Sequence, residues 1–172
     1  MRVKLALLLV ISLIAIAGCY KGITGTVVDA ETGRPIEGAV VLVEWTKAKG
    51  LGLTYTESYK VAEVISDKDG KFTLPGCYNP FVNEPNMTIY KKEYVAWSSR
   101  WIYPGMKNRT DFKWGDNIFK LEHFKSDYSY IDHTSYLHRS INLGFGDKKL
   151  IAASFYWEEL EASKERDRRR HK

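Results

Sequence analysis

Four histidines, two cysteines and one Asp-x-Asp-Gly segment are the residues from which chemistry could be built in this chain of 172 residues. The histidines are His123, His133, His138 and His171. His133 and His138 are five apart, whereas helical neighbours are three or four apart. No Cys/His group has zinc-site spacing, so the histidines are expected to be structural or solvated and no metal is assigned. Asp67, Asp69 and Gly70 resemble the opening of a calcium loop. Calcium takes six or more oxygens, and an EF-hand loop closes with a Glu at its twelfth position. Counted from Asp67 that position is Tyr78, so the segment reads as a turn. No Gly-x-Ser-x-Gly elbow is present. A catalytic triad can be dispersed along a chain, yet nothing marks a nucleophile. No catalytic residue and no cofactor are assigned, and the chain is not expected to be an enzyme. Cys77 follows Pro75-Gly76 at the end of an apolar run and reads as a buried, inert thiol.

Aromatic side chains are the more open candidates. Trp97, Trp101, Tyr103 and Trp114 cluster around an expected loop, where loops on a rigid scaffold commonly carry recognition. Exposed rings there would stack on a sugar face or anchor a protein partner, with Arg100, Asn108 and Asp111 available to bond hydroxyls. The competing expectation is that these rings pack beneath the loop as a satellite core. Arg168-Arg169-Arg170-His171-Lys172 could meet anionic headgroups, but positive charge also suits the solvated end of a helix. Asn86-Met87-Thr88 and Asn108-Arg109-Thr110 match the glycosylation pattern and are read as chance.

With 26 basic and 21 acidic residues the formal charge is +5. Residues 1–18 hold Arg2, Lys4 and no acid, so the remainder carries 24 − 21 = +3. That balance is mild, and a dedicated nucleic-acid binder shows a strongly basic face. No nucleic-acid partner is expected.

The elements that must position these residues are mostly strands. Ile23 to Val28 alternates with period two, and Asp29 to Pro35 carries turn chemistry. Ala39 to Trp45 is a second strand with Val41, Val43 and Trp45 on one face, and Tyr55 to Ile65 is a third, rich in the β-branched and aromatic residues that strands favour. Asp69-Gly70 between apolar alternations predicts a hairpin into Phe72 and Leu74. Shorter strands are expected at Met87–Tyr90, Tyr94–Trp97 and Ile118–Leu121. Beyond them, Ser126-Asp127 predicts the start of a helix carrying Tyr130, Thr134, Leu137 and Ile141, with a stop at Asn142-Leu143-Gly144-Phe145-Gly146. A second helix starts at Asp147, and its apolar stripe is read as Leu150, Ala153, Trp157 and Leu160. Leu150, Trp157 and Leu160 are expected to be buried. The two helices would pack on the strands or on each other.

Gly25-Thr26-Val27-Val28-Asp29, then Thr32-Gly33-Arg34-Pro35-Ile36-Glu37-Gly38-Ala39-Val40-Val41, then Ser66-Asp67-Lys68-Asp69-Gly70-Lys71-Phe72, resemble the carboxypeptidase regulatory-like domain. The match covers residues 22–74. Lys91-Lys92-Glu93-Tyr94 resembles that family's later Lys-Pro-Gly-Tyr, with Lys92 and Glu93 in place of Pro-Gly. The resemblance implies a mainly β fold, an antiparallel Ig/prealbumin-like (transthyretin-like) β-sandwich of about seven strands, here followed by a C-terminal pair of helices. It implies no catalytic residues. Residues 77–86 and 98–117 look like added loops.

Arg2 and Lys4 precede an apolar stretch, Leu5 to Ala17, that is too short to span a bilayer and fits an export signal. It ends Ile16-Ala17-Gly18-Cys19, which resembles the lipobox of bacterial lipoprotein precursors. The resemblance implies cleavage before Cys19 and several acyl chains (palmitate among them) on that cysteine, enough for stable membrane anchoring. Tyr20 stands where an Asp would in many Gram-negative species retain the protein in the inner membrane, so the outer membrane is expected if there is one. The expected organisation is residues 1–18 as signal peptide, 19–123 as the sandwich, and 124–172 as a helical extension with a basic tail. The expected role is a cell-envelope lipoprotein that binds or builds, protein–protein interaction first. Carbohydrate recognition through the aromatic loop is the alternative, and an envelope hydrolase with a dispersed site a further one. The implied partners are the membrane, through Cys19, and an envelope protein or polysaccharide.

Overall fold

The structure, a computed structural model, describes residues 22–50, 54–77, 79–142 and 147–171. The signal segment, Cys19 and the Asn142–Gly146 stop beyond its first residue lie outside them. The strands are β1 (Ile23–Asp29), β2 (Val40–Lys49), β3 (Tyr55–Ile65), β4 (Lys71–Leu74), β5 (Asn86–Tyr90), β6 (Trp97–Ser98), β7 (Trp101–Ile102), β8 (Lys107–Asn108) and β9 (Ile118–Leu121), followed by helices α1 (Tyr130–Ile141) and α2 (Lys149–Arg170). Seven strands form two facing sheets: sheet 1 in the order β4-β1-β9 and sheet 2 in the order β3-β2-β5-β6; β7 and β8 pair separately. The fold is a mainly β sandwich with two C-terminal helices.

β2 explains the layering. Its residues point alternately to opposite faces. Val41, Val43 and Trp45 enter the core between the sheets, together with Val27, Phe72, Ile89 and Phe119. Val40 and Leu42 face the other way, into a second apolar cluster with Tyr136, Leu137, Ile151 and Phe155 of the helices. The helices therefore cover the outer face of sheet 2, and β2 is buried on both sides. In β1, Gly25 leaves the space that Phe72 and Phe119 fill: a Cβ there would lie 2.4 Å from the Phe119 ring and 2.7 Å from Phe72.

Three strand expectations change, the first being that the strand expected at Tyr94–Trp97 forms only at Trp97–Ser98. The Asp67–Gly70 turn forms, with Gly70 at φ +70° and Asp67 Oδ1 accepting the Asp69 and Lys71 N–H groups at 2.9 and 2.8 Å. It is not a hairpin, however. β4 pairs with β1 rather than β3, because the Val27 N–H holds the Gly70 carbonyl at 2.8 Å and draws the chain across to sheet 1. β9 runs parallel to β1. A parallel neighbour needs a long crossover, and the chain from residue 30 to 117 supplies it. The other main pairings are antiparallel. At Lys91–Tyr94 the turn closes with the Tyr94 N–H donating to the Lys91 carbonyl at 3.1 Å. Glu93 adopts φ +73°, the left-handed conformation for which glycine is suited.

The helices also differ in detail. Ser129, not Ser126-Asp127, caps α1, its side chain accepting from the Asp132 N–H, and Asn142 ends it at φ 45°. α2 starts at Lys149. Its buried face is Ile151, Phe155, Glu158 and Ala162, whereas Leu150 and Leu160 are 42% and 46% exposed. The expected stripe thus lies one position off. Hydropathy hides the true face because Glu158 is a charged member of it. Among the described residues no helix is long and apolar enough to cross a membrane.

Candidate functional site

The four aromatic candidates do not share one surface. Trp97 is in the inter-sheet core, edge-on to Phe112 and Phe119 at 5.1 and 5.0 Å, with the Arg109 guanidinium 4.8 Å from its ring. Trp101 and Tyr103 lie on the other side of sheet 2, against the helix cluster. There the Tyr136 hydroxyl donates to the Trp101 carbonyl at 3.1 Å. Tyr103 packs edge-on to His133, Tyr128 and Tyr136, and burial pushes its hydroxyl up to about 12. Trp114 is half-buried and edge-on to Phe112 at 5.1 Å, and it alone of the four borders the recess of Asn83, Arg100 and Lys113. Cys77 is half-buried against the core rather than enclosed.

That recess is an open cleft of about 570 Å³. Its walls come from three distant segments: Asn83–Asn86 leading into β5, Ser99-Arg100 after β6, and Arg109 to Trp114. A second recess of about 250 Å³ shares Asn83, Glu84, Asn86 and Arg100 with it and continues to Glu44, Arg139 and Asn142. The two make one groove across the end of sheet 2. Arg109 is committed: it donates to the Ser98 carbonyl at 2.6 Å and pairs with Asp111 at 3.2 Å. No ion pair among the described residues engages Arg100, Lys113 or Arg139, which are exposed. Glu44 is 4% exposed at its side chain and pairs with Lys148 through Oε2 at 3.0 Å. Its Oε1 finds no hydrogen-bond donor among the described residues. Of the residues named from the sequence as hydroxyl-bonding neighbours, Arg100 borders this groove, Asp111 is held by Arg109, and Asn108 is exposed on β8.

Two carboxylate–imidazole pairs invite comparison with catalytic dyads. His133 is fully buried. Its Nε2 accepts the Ala96 N–H at 3.0 Å, so its proton sits on Nδ1 and is donated to Glu158 Oε1. Glu158 Oε2 accepts from the Tyr90 hydroxyl at 2.9 Å, which in turn accepts from Trp157 Nε1 at 2.8 Å. Burial and the Glu158 carboxylate push the Tyr90 hydroxyl far above its ordinary range. A general base needs a free nitrogen within reach of a substrate proton, and here the backbone takes it. The network fastens α1 and α2 to β5. The second pair is Asp29 and His123 Nε2, at 2.7 Å. Asp29 is held well below the usual carboxylate range by the Thr32 N–H, helped by the Thr32 and Tyr94 hydroxyls and the Glu31 N–H. Tyr94 stacks on His123 at 4.4 Å between centroids. These bonds tie the first turn to the chain just after β9. Among the described residues no group of three or more His, Cys, Asp or Glu is placed to hold a metal ion.

Side chains from distant elements complete the helix ends. Glu63 of β3 accepts the Leu150 and Ile151 N–H groups at 3.0 and 2.9 Å, and Glu165 of α2 accepts the Tyr130 N–H at 2.9 Å. Lys148 donates to the Ile141 and Asn142 carbonyls at 2.5 and 2.7 Å. Carboxylates at helix N-termini and a cation at a C-terminus oppose the helix dipole.

No family model matches the sequence, and no curated protein matches it. Among solved structures, a streptococcal ancillary pilin aligns with 61% of this chain and 30% of its own length, at 16% identity and a TM-score of 0.33. A likeness that loose bears on neither fold nor function.

Proposed function

We propose that this chain is a membrane-anchored lipoprotein of the cell envelope, lipidated at Cys19, with a non-enzymatic binding or structural role. The observation that carries the binding role is a division of labour among polar groups. Buried His133 and Lys148 are spent on fastening the helices: His133 has no nitrogen to spare, and Lys148 is bonded to Glu44 and to the Ile141 and Asn142 carbonyls. Three exposed cations that no ion pair among the described residues engages, Arg100, Lys113 and Arg139, border one groove. Recognition by a fixed, largely preformed cleft asks for this arrangement. The anchoring half of the reading is supported by the small residues and cysteine that end the apolar core of residues 5–17, with the outer membrane as the proposed address where there are two membranes. Photo-cross-linking in cells tests the binding role. A photoreactive residue at Lys113 should yield defined adducts with an envelope component, while the same residue at Lys68, outside the groove, should not. Identical adduct patterns at both positions would remove the groove from consideration.

A further inference from the structure

We infer that the groove binds an acidic saccharide, an oligosaccharide carrying carboxylate or phosphate groups, with Arg100, Lys113 and Arg139 on its charges and Trp114 against a ring face. This rests on the reading of the groove as the binding site and names what occupies it. Three requirements converge. First, three uncommitted cations border the groove against one uncommitted carboxylate, Glu84, and guanidinium and ammonium pair strongly with carboxylate or phosphate oxygens. Counting all bordering charges, Arg100, Arg109, Lys113 and Arg139 face Glu44 and Glu84, and Lys148 already answers Glu44. Second, Glu44 lines the smaller recess, its side chain more than nine-tenths buried and its Oε1 without a donor among the described residues. A buried carboxylate oxygen without a donor is costly, and a simple anion brings no donor to it, whereas a sugar brings hydroxyls. Third, Trp114 offers a half-buried ring on the wall, backed by Phe112, and Asn83 and Asn86 border the groove with amides that both donate and accept. An acidic peptide would meet the charges and could donate backbone N–H groups, but its carboxylate side chains offer no ring face to Trp114. The groove's combined size suits a short oligosaccharide, since ligand clefts commonly hold about 300–1,000 Å³.

Titration calorimetry of the purified full chain in detergent tests this, with three probes: an oligogalacturonate for carboxylate, a phosphorylated oligosaccharide for phosphate, and a neutral malto-oligosaccharide. At least one charged probe should bind, and the neutral one at least about tenfold more weakly; the charged probe that binds tightest identifies the anion. Binding should weaken as salt rises, because exposed charges are screened. Arg100→Ala, with unchanged thermal unfolding, and Trp114→Ala, which loses some stability but stays folded at the assay temperature, should each weaken it by about tenfold or more, about one decade in Kd for each side chain removed. Equal affinity for the neutral probe, no binding by either charged probe, or indifference to both substitutions would overturn the ligand class. Groove-specific protein adducts at Lys113 together with silent calorimetry would leave a binding role standing and this ligand refuted.

Discussion

Replacing Glu158 by alanine is the most demanding test of how the helices are held. The side chain is 2% exposed and serves two donors, the His133 Nδ1–H and the Tyr90 hydroxyl. Both donors are themselves buried, at 0% and 1% exposure, so water cannot replace the carboxylate. Each buried donor left unpaired costs about 1–3 kcal/mol, so the two together cost roughly 2–6 kcal/mol. The expected loss for Glu158→Ala is therefore about 2–6 kcal/mol. In a chain of this size that corresponds to a fall of roughly 4–24 °C in melting temperature. Glu158→Gln should cost less, about 1–3 kcal/mol, because one oxygen still accepts while the amide faces a donor. In His133→Ala the cost arises from the other side, since Glu158 and the Ala96 N–H lose the ring between them. The double variant should therefore cost clearly less than the sum of the singles. Urea titrations followed by circular dichroism give these values, provided the slope is unchanged. A loss below about 1 kcal/mol for Glu158→Ala, or additive effects in the double variant, would show that the network does not fasten the helices.

Other outcomes follow from single positions. Cys19→Ala should abolish incorporation of a fatty-acid probe that labels the wild type; equal labelling would remove the anchor. Gly70→Val should destabilise by more than about 2 kcal/mol in urea titration, combining the left-handed penalty of about 1–2 kcal/mol with a Cβ placed 2.4 Å from the Val27 carbonyl oxygen. Glu93→Gly should stabilise by roughly 0.5–1 kcal/mol, the relief of positive φ exceeding the added unfolded-state entropy. The folded Asp29 carboxyl titrates below its ordinary value of 3.8, so its contribution is whole above that pH and fades as the pH falls through the depressed folded value. Acid unfolding of Asp29→Asn should lack this part of the pH dependence. A curve with the wild-type slope would contradict the assignment.

What the sequence discloses follows the physics of each signal. Alternation marks β1 and β2 because each buries at least one face, composition marks β3, whose residues are at most half-buried, and Gly70 marks its turn because positive φ demands a small residue. Partner choice is less visible. Nothing local in Lys71–Leu74 says that its neighbour is β1 rather than β3, since the decision rests on a backbone bond from Val27. A hydropathy stripe misplaces the register of α2 because it counts Leu150 and Leu160 as core and Glu158 as surface, while the structure does the reverse. Trp97, Trp101 and Tyr103 are close in sequence yet serve two different cores, one on each side of sheet 2. The groove is legible only through Trp114 and Arg100. Asn83, Glu44 and Arg139 join it from segments far apart along the chain, and no spacing rule links them.

The place of β1 in the middle of sheet 1 has a mechanical consequence. Ile23 stands only four positions after Cys19, so tension from a tether at that cysteine enters the molecule along β1. β4 and β9 flank the strand with ladders on both edges. Ladder bonds run across the strand axis, squarely in antiparallel pairs and slanted in parallel ones. A lengthwise pull therefore loads many of them at once in shear. An edge strand pulled sideways would instead peel one bond after another and yield at a small force.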